Sequence, residues 1–368
     1  MRWTIERATL DDAERVETFM LTIPEFAGTV SVGVERSVWK WLFARDGRVG
    51  DAYLAQDAAG KVVGHYGVAP LPYSADGQRV MAGLLCKLAI AEDYRHTPLF
   101  MRLAMQVLKA QSREDSGLSF SLGLVNRPGI LQFHLAFGLT PIGDVPVYAK
   151  PMNLERVARQ LLPARLYNMV RLPTLAASHI GRSASRLRAT RFTKQVTITP
   201  ISAFTEEFDT VSRFLSRYRY HAMRTASSLT HRFFAGPPRG YQVFRVDGPS
   251  GLAGYFVLRR MPMKEFDALA IVDVCLDPAV PQASSAVMKF VDVLALDLGV
   301  DLVSALAGSP DLRRLMRHNL YFKSPERFTL VVQSPRGADL SRSNSPTTLI
   351  APSRISDWYV TWHDHDYV

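Results

Sequence analysis

The stretch Leu88-Ala-Ile90-Ala-Glu92-Asp93-Tyr-Arg95-His96-Thr97-Pro98-Leu99-Phe100 joins an apolar run to an amphipathic one through a short polar turn. A strand that ends in such a turn and opens a helix presents unpaired N–H groups and the positive end of the helix dipole. That is a favourable seat for a phosphate-like anion. Arg95 supplies a cation there, and the amides of His96, Thr97, Leu99 and Phe100 supply donors, whereas Pro98 supplies none. Glu92 and Asp93, at the end of the strand, can relay a proton through water or cap the turn. Further on, Asn126-Arg-Pro-Gly-Ile-Leu-Gln-Phe133-His134-Leu-Ala-Phe-Gly138 places an imidazole on a short helix. Imidazole titrates near neutrality, so His134 reads as a general acid or as a helix-surface histidine. Asn126 suits a backbone hydrogen bond at the helix start or a contact with a ligand. His363-Asp364-His365-Asp366 gathers metal-ligating side chains, and alternation on a strand would put both histidines on one face. No third ligand of matching spacing accompanies them, so the expectation is no metal.

These residues need elements to hold them. Thr97 is a candidate N-cap and Pro98 suits the first helical position, with Leu99, Phe100, Leu103, Ala104, Val107 and Leu108 making one apolar face. An apolar strand over 118–125 follows, then the short helix and a closing strand. The same order recurs later. A hairpin around Gly64 has its counterpart around Gly254, 190 residues on, and the same offset pairs Asp57 with Asp247. The second copy then predicts a strand over 268–276, a helix capped by Ser284 or Ser285 and ended by Gly299, and a strand over 302–306. A period this long implies duplication of a domain rather than a solenoid. The expected units are 1–150, a linker over 151–195, 196–333, and a tail over 334–368 whose aromatic end packs onto the body.

Composition narrows the class. With 47% apolar and 21% charged residues the chain is that of a globular protein, and no uncharged apolar run is long enough for a transmembrane helix. Two cysteines, Cys86 and Cys275, sit in apolar runs and point to a reducing, cytoplasmic setting. The net charge of +10 concentrates between Arg156 and Lys194, with Glu155 the nearest acid. Leucines interleave those arginines at helical spacing, so the stretch reads either as a solvated amphipathic linker or as a landing strip for a phosphate-rich partner.

The strand, Arg95 turn and helix resemble the acyl-CoA-binding signature of the GNAT superfamily of N-acetyltransferases. In that signature Arg or Gln is followed by two spacers, a Gly, a spacer and a Gly or Ala. Arg95 matches the first position, while Pro98 and Phe100 replace the two small residues. Asn126 to Gly138 is similar to the family's Asn-led helix, in which His134 falls near the position of a tyrosine that protonates the departing thiolate. The ending Trp358-Tyr-Val-Thr361…Asp364-His-Asp366 looks like that of tandem GNAT proteins from bacterial polysaccharide and secondary-metabolite gene clusters. The resemblance implies an α/β fold of two tandem GNAT-like domains, each a mixed, mostly antiparallel sheet flanked by helices. It also implies an acyltransferase using acetyl-CoA or another acyl-CoA as substrate. Leu88, Ile90, Arg95, His96, Thr97, Leu99, Phe100 and Asn126 would hold the CoA, and His134 and Glu92 would move protons. The acceptor would be a small-molecule amine or amino sugar in a pocket between the copies. The second copy, with Leu276-Asp-Pro-Ala-Val-Pro in place of the turn, would bind no CoA. Two rivals stand beside this reading: an aminoacyl-tRNA-dependent, Fem-like transferase supported only by the basic stretch, and a non-catalytic binding or scaffold protein. Nucleic acid is otherwise not an expected partner.

Overall fold

Runs rich in β-branched and aromatic residues, broken at short turns, pair into one large sheet in the computed structural model. It describes residues 2–23, 38–45, 48–111, 117–168, 195–333 and 353–365. The first half comprises β1 (Trp3–Arg7), α1 (Ala13–Leu21), α2 (Val38–Phe43), the short ribbon β2 (Ala44–Arg45) and β3 (Arg48–Val49), β4 (Asp51–Asp57), β5 (Val62–Ala75), β6 (Gln78–Ile90), α3 (Leu99–Gln111), β7 (Phe120–Val125), α4 (Pro128–Ala136) and β8 (Thr140–Pro151). After α5 (Leu154–Leu161) come β9 (Thr197–Pro200), β10 (Tyr220–Ala222), α6 (Ala226–Phe233), β11 (Tyr241–Gly248), β12 (Gly251–Met263) and β13 (Phe266–Leu276). The chain continues through α7 (Pro281–Leu298), β14 (Leu302–Leu306), α8 (Pro310–His318), β15 (Phe322–Gln333) and β16 (Trp358–Tyr359).

The strand order is β1-β4-β5-β6-β7-β15-β8-β14-β13-β12-β11-β9. Along it only β6/β7 and β13/β14 run parallel. Five strands of the first half and five of the second therefore repeat one order from opposite edges. Their closing strands cross over: β15 lies beside β7, and β8 lies beside β14. The antiparallel pair β8/β15 is the seam of the molecule.

Helices cover both faces of the first half. Val16, Phe19 and Met20 of α1 and Trp39 and Phe43 of α2 pack with Leu54 and Tyr73. Leu99, Leu103, Ala104 and Val107 of α3 pack on the other side with Tyr53, Tyr66 and Val68. Gly67 faces α2, where a Cβ would lie 2.5 Å from the Phe43 ring, so only glycine lets that helix sit down. In the second half α7 begins at Pro281 rather than at the serines, because a proline at the first helical turn needs no N–H partner there. It ends at Gly299 with φ 65°, as the sequence predicts. The C-terminal aromatics are tucked in: Trp358 and Val360 are fully buried, and Trp358 stacks on Tyr220 at 4.5 Å.

Candidate active site in the first half

The cleft begins where a ladder stops. Ala82–Leu84 of β6 pair with Phe120–Leu122 of β7, but β6 runs on to Ile90 and β7 to Val125, so their ends part. A bulge lies at the fork: the β5/β6 register shifts between His65 and Gly67, and Lys87 has φ 55°. His65 fastens it. Its Nε2 accepts from Trp39 Nε1 at 2.9 Å, which leaves Nδ1–H to donate to the Lys87 carbonyl at 2.7 Å. Burial pushes the His65 pKa down to about 4, so the ring is neutral near pH 7. Ala91 gives its N–H to Val63 O at 2.9 Å. By the alternation of an antiparallel ladder, the N–H of Ile90 then points away from β5 and into the fork.

The turn that follows is more self-contained than its sequence suggests. Thr97 caps α3 by accepting from the Leu99 N–H at 3.3 Å, and its hydroxyl donates to Tyr94 O at 2.7 Å. The Thr97 N–H also donates to Tyr94 O, at 3.1 Å. Two of the four expected donor amides are therefore already used within the turn, which leaves His96 and Phe100 for a ligand. Arg95 folds back so that its Nε lies 3.3 Å from Ile90 O, at the lip of the fork. Glu92, Asp93, Arg95 and His96 are exposed, Leu88 and Phe100 are half-buried, and Leu99 is buried.

His134 of α4 is buried rather than on the helix surface. Its Nδ1 lies 2.7 Å from Ile130 O and its Nε2 lies 2.7 Å from Tyr66 Oη. A carbonyl can only accept, so Nδ1 carries the proton and Tyr66 donates to Nε2. Burial lowers the His134 pKa, and the ring is neutral with both nitrogens engaged. Tyr66 is the cleft residue that the sequence reading missed. Beside it the Phe133 ring lies 4.1 Å from Phe100 and 4.4 Å from Phe137, so three aromatic rings bridge α3 and α4. Asn126 is exposed, and the N-cap position of α4 is taken by Arg127 without a side-chain cap.

The equivalent fork of the second half is filled. Ala268–Ile271 pair with Leu302–Ala305, and beyond them the strands part. Into that gap runs the C-terminal segment. The Tyr359 hydroxyl donates to Val274 O, Gly308 N–H donates to Val360 O at 3.0 Å, and Thr361 Oγ1 lies 2.9 Å from Asp273 Oδ1. Arg224 grips Asp273 through two bonds of 3.0 Å, with both side chains fully buried. Burial raises the Asp273 carboxyl, but the Arg224 guanidinium overrides it and holds the pKa near about 2. Residues 362–364 form a 3-10 turn, not a strand, so the histidines do not alternate along one face. His363 instead sits buried with Nδ1 3.6 Å from Asp273. Asp366, and the basic positions from Arg171 to Lys194, lie outside the described residues.

No family model matches the chain, and no curated protein matches it in sequence. Solved structures do match in shape. N-myristoyltransferase of Saccharomyces cerevisiae with bound myristoyl-CoA superposes with a TM-score of 0.62 at 14% identity, over 91% of this chain and 83% of that one. The chain has the GNAT fold. A GCN5-related N-acetyltransferase from Anabaena variabilis superposes with a TM-score of 0.57 at 13% identity, over 90% of this chain and 72% of that one. A probable N-acyltransferase from Enterococcus faecalis gives 0.58 at 10% identity, over 91% and 73%. In this chain one fork of the sheet lies between β6 and β7, and the other, between β13 and β14, receives the C-terminal segment.

Proposed function

We propose that the chain is an N-acyltransferase, taking an acyl group from acyl-CoA in the first half and passing it to an amine of a small molecule or sugar. The two halves are read as copies of one unit, of which only the first keeps its site. The observation that carries this reading is the fork between β6 and β7, bulged at Lys87 and followed by a capped helix start. A thioester carbonyl in that fork would accept from the Ile90 N–H, a donor fixed before the reaction begins. The amine attacks the carbonyl carbon, the C–S bond breaks, and the amine's proton leaves through water to Glu92 or Asp93 or passes to the thiolate. Tyr66 is a poor acid for this, because burial raises its phenol far above a thiol's pKa of about 8.5. It and His134 serve as positioning residues that wall the fork. Most of the acceleration would be proximity.

The donor's chain length is open between acetyl and long acyl, the latter because a neighbour in shape holds myristoyl-CoA. Thermal melting with CoA, acetyl-CoA and myristoyl-CoA tests the reading. A ligand at 100 times its dissociation constant should stabilise by about 2.7 kcal/mol, and Arg95→Ala should reduce the shift. Absence of any shift with all three would sink the proposal. A non-catalytic role is the second reading, favoured by the Phe100–Phe133 contact at 4.1 Å and by the amides already used in the turn.

A further inference from the structure

We infer that the segment from Leu154 to Asn168 docks this protein on an anionic membrane surface, lying on the bilayer without crossing it. Helix α5 repeats apolar residues at Leu154, Val157, Ala158 and Leu161, the i, i+3, i+4, i+7 stripe of a helix that packs against something, yet none of its residues is buried. Leu161 is 66% exposed and Leu166 50%. Seven large apolar side chains are exposed among the described residues, and five of them belong to this region: Leu154, Leu161, Leu166, Leu320 and Phe322. The last two emerge at the same end of the sheet, because Phe322 of β15 pairs with Ala149 of β8, the strand that leads into α5. Asp301 anchors the start of the segment, accepting from the Met152 and Asn153 N–H groups and lying 3.3 Å from Arg156.

Charge selects the occupant. Arg156, Arg159 and Arg165 are exposed beside the leucines, and the one acid, Glu155, accepts from the Tyr167 hydroxyl. From Leu154 to Lys194 the sequence holds nine arginines and lysines against that single acid. Leucines sunk among acyl chains with arginines reaching up to phosphates is how an interfacial helix lies on anionic lipid. RNA would use the arginines but leave the leucines in water. No described helix is long and apolar enough to cross a membrane, so the contact is with the surface.

The full chain should float with phosphatidylcholine vesicles containing half phosphatidylglycerol, at least on the order of tenfold more tightly than with phosphatidylcholine alone. Leu161→Asp with Leu166→Asp should weaken that binding about tenfold or more while leaving the melting temperature unchanged. Arg159→Glu with Arg165→Glu should weaken it as well. Met101→Ser with Met105→Ser, which changes the exposed pair on α3, should leave it intact. Equal binding to both vesicle types would overturn the proposal. So would a leucine variant that binds like the parent, or bulk tRNA bound in preference to the anionic vesicles. The test is independent of acyl transfer, since it reads vesicle binding with no CoA present.

Discussion

Buried titratable side chains set how this protein answers to acid. His65 and His221 are both pushed down by burial to about 4, from an ordinary value of 6.5. Each folds neutral and must stay so. A depressed histidine contributes stability that is complete above pH 6.5 and is lost as pH falls from there through 4, roughly 3 kcal/mol each at most. His363 acts in the same direction. Asp364 opposes them, because burial raises its carboxyl to about 6 and the folded state gains as it takes up a proton between pH 6 and its unfolded value of 3.8. With His134 lowered by burial as well, four histidines outweigh one carboxyl, so urea midpoints should fall as pH is lowered from 6.5 to 4. Asp364→Asn should steepen that fall, and a flat profile for the parent protein would contradict the assignment. His65 and Tyr66 were not legible beforehand. They sit inside the apolar run of β5, and their partners lie 22 and 68 residues away, with no spacing that would flag them.

Local elements were the legible part. The Thr97 cap and the apolar face of α3 depend on neighbours within a turn or two, and the structure has them where the residue types place them, with the helix starting at Leu99, one residue after Pro98. What α3 meets was not legible, because Phe100 and Phe133 come together only when α3 and α4 share a face of the sheet. That contact gives a sharp expectation. If the aromatic bridge closes the CoA path, Phe100→Ala should strengthen CoA binding, read by calorimetry as a several-fold lower dissociation constant. Its stability cost should stay near 1–3 kcal/mol because the ring is only half-buried. Unchanged or weaker CoA binding in that variant would show that the bridge does not stand in the path.

At the scale of the whole molecule, the repeat 190 residues long announced two similar halves but not how they are joined. A closing strand carries the same alternating pattern whichever sheet receives it, so the crossing of β8 and β15 has no signature in the sequence. It makes each half depend on the other for an inner strand. Residues 1–150 alone should therefore lack a native fold by proton NMR and should gain it when residues 195–368 are supplied as a separate chain. A well-dispersed spectrum from 1–150 by itself would refute this. Thr361 ties the C-terminal segment to the second half by bonding to Asp273 of the buried Arg224–Asp273 pair, so that fragment needs its last residues too.

The same crossing has a consequence during synthesis. About 170 residues separate the end of β8 at Pro151 from the start of β15 at Phe322. At ~5–20 residues per second a ribosome needs roughly 10 to 35 seconds to deliver the missing strand. Throughout that interval the apolar edge of β7 waits uncovered, a template for wrong pairing with a neighbouring nascent chain. Expression yield should therefore depend more on holding chaperones and on translation speed across 152–321 than on the stability of the finished protein.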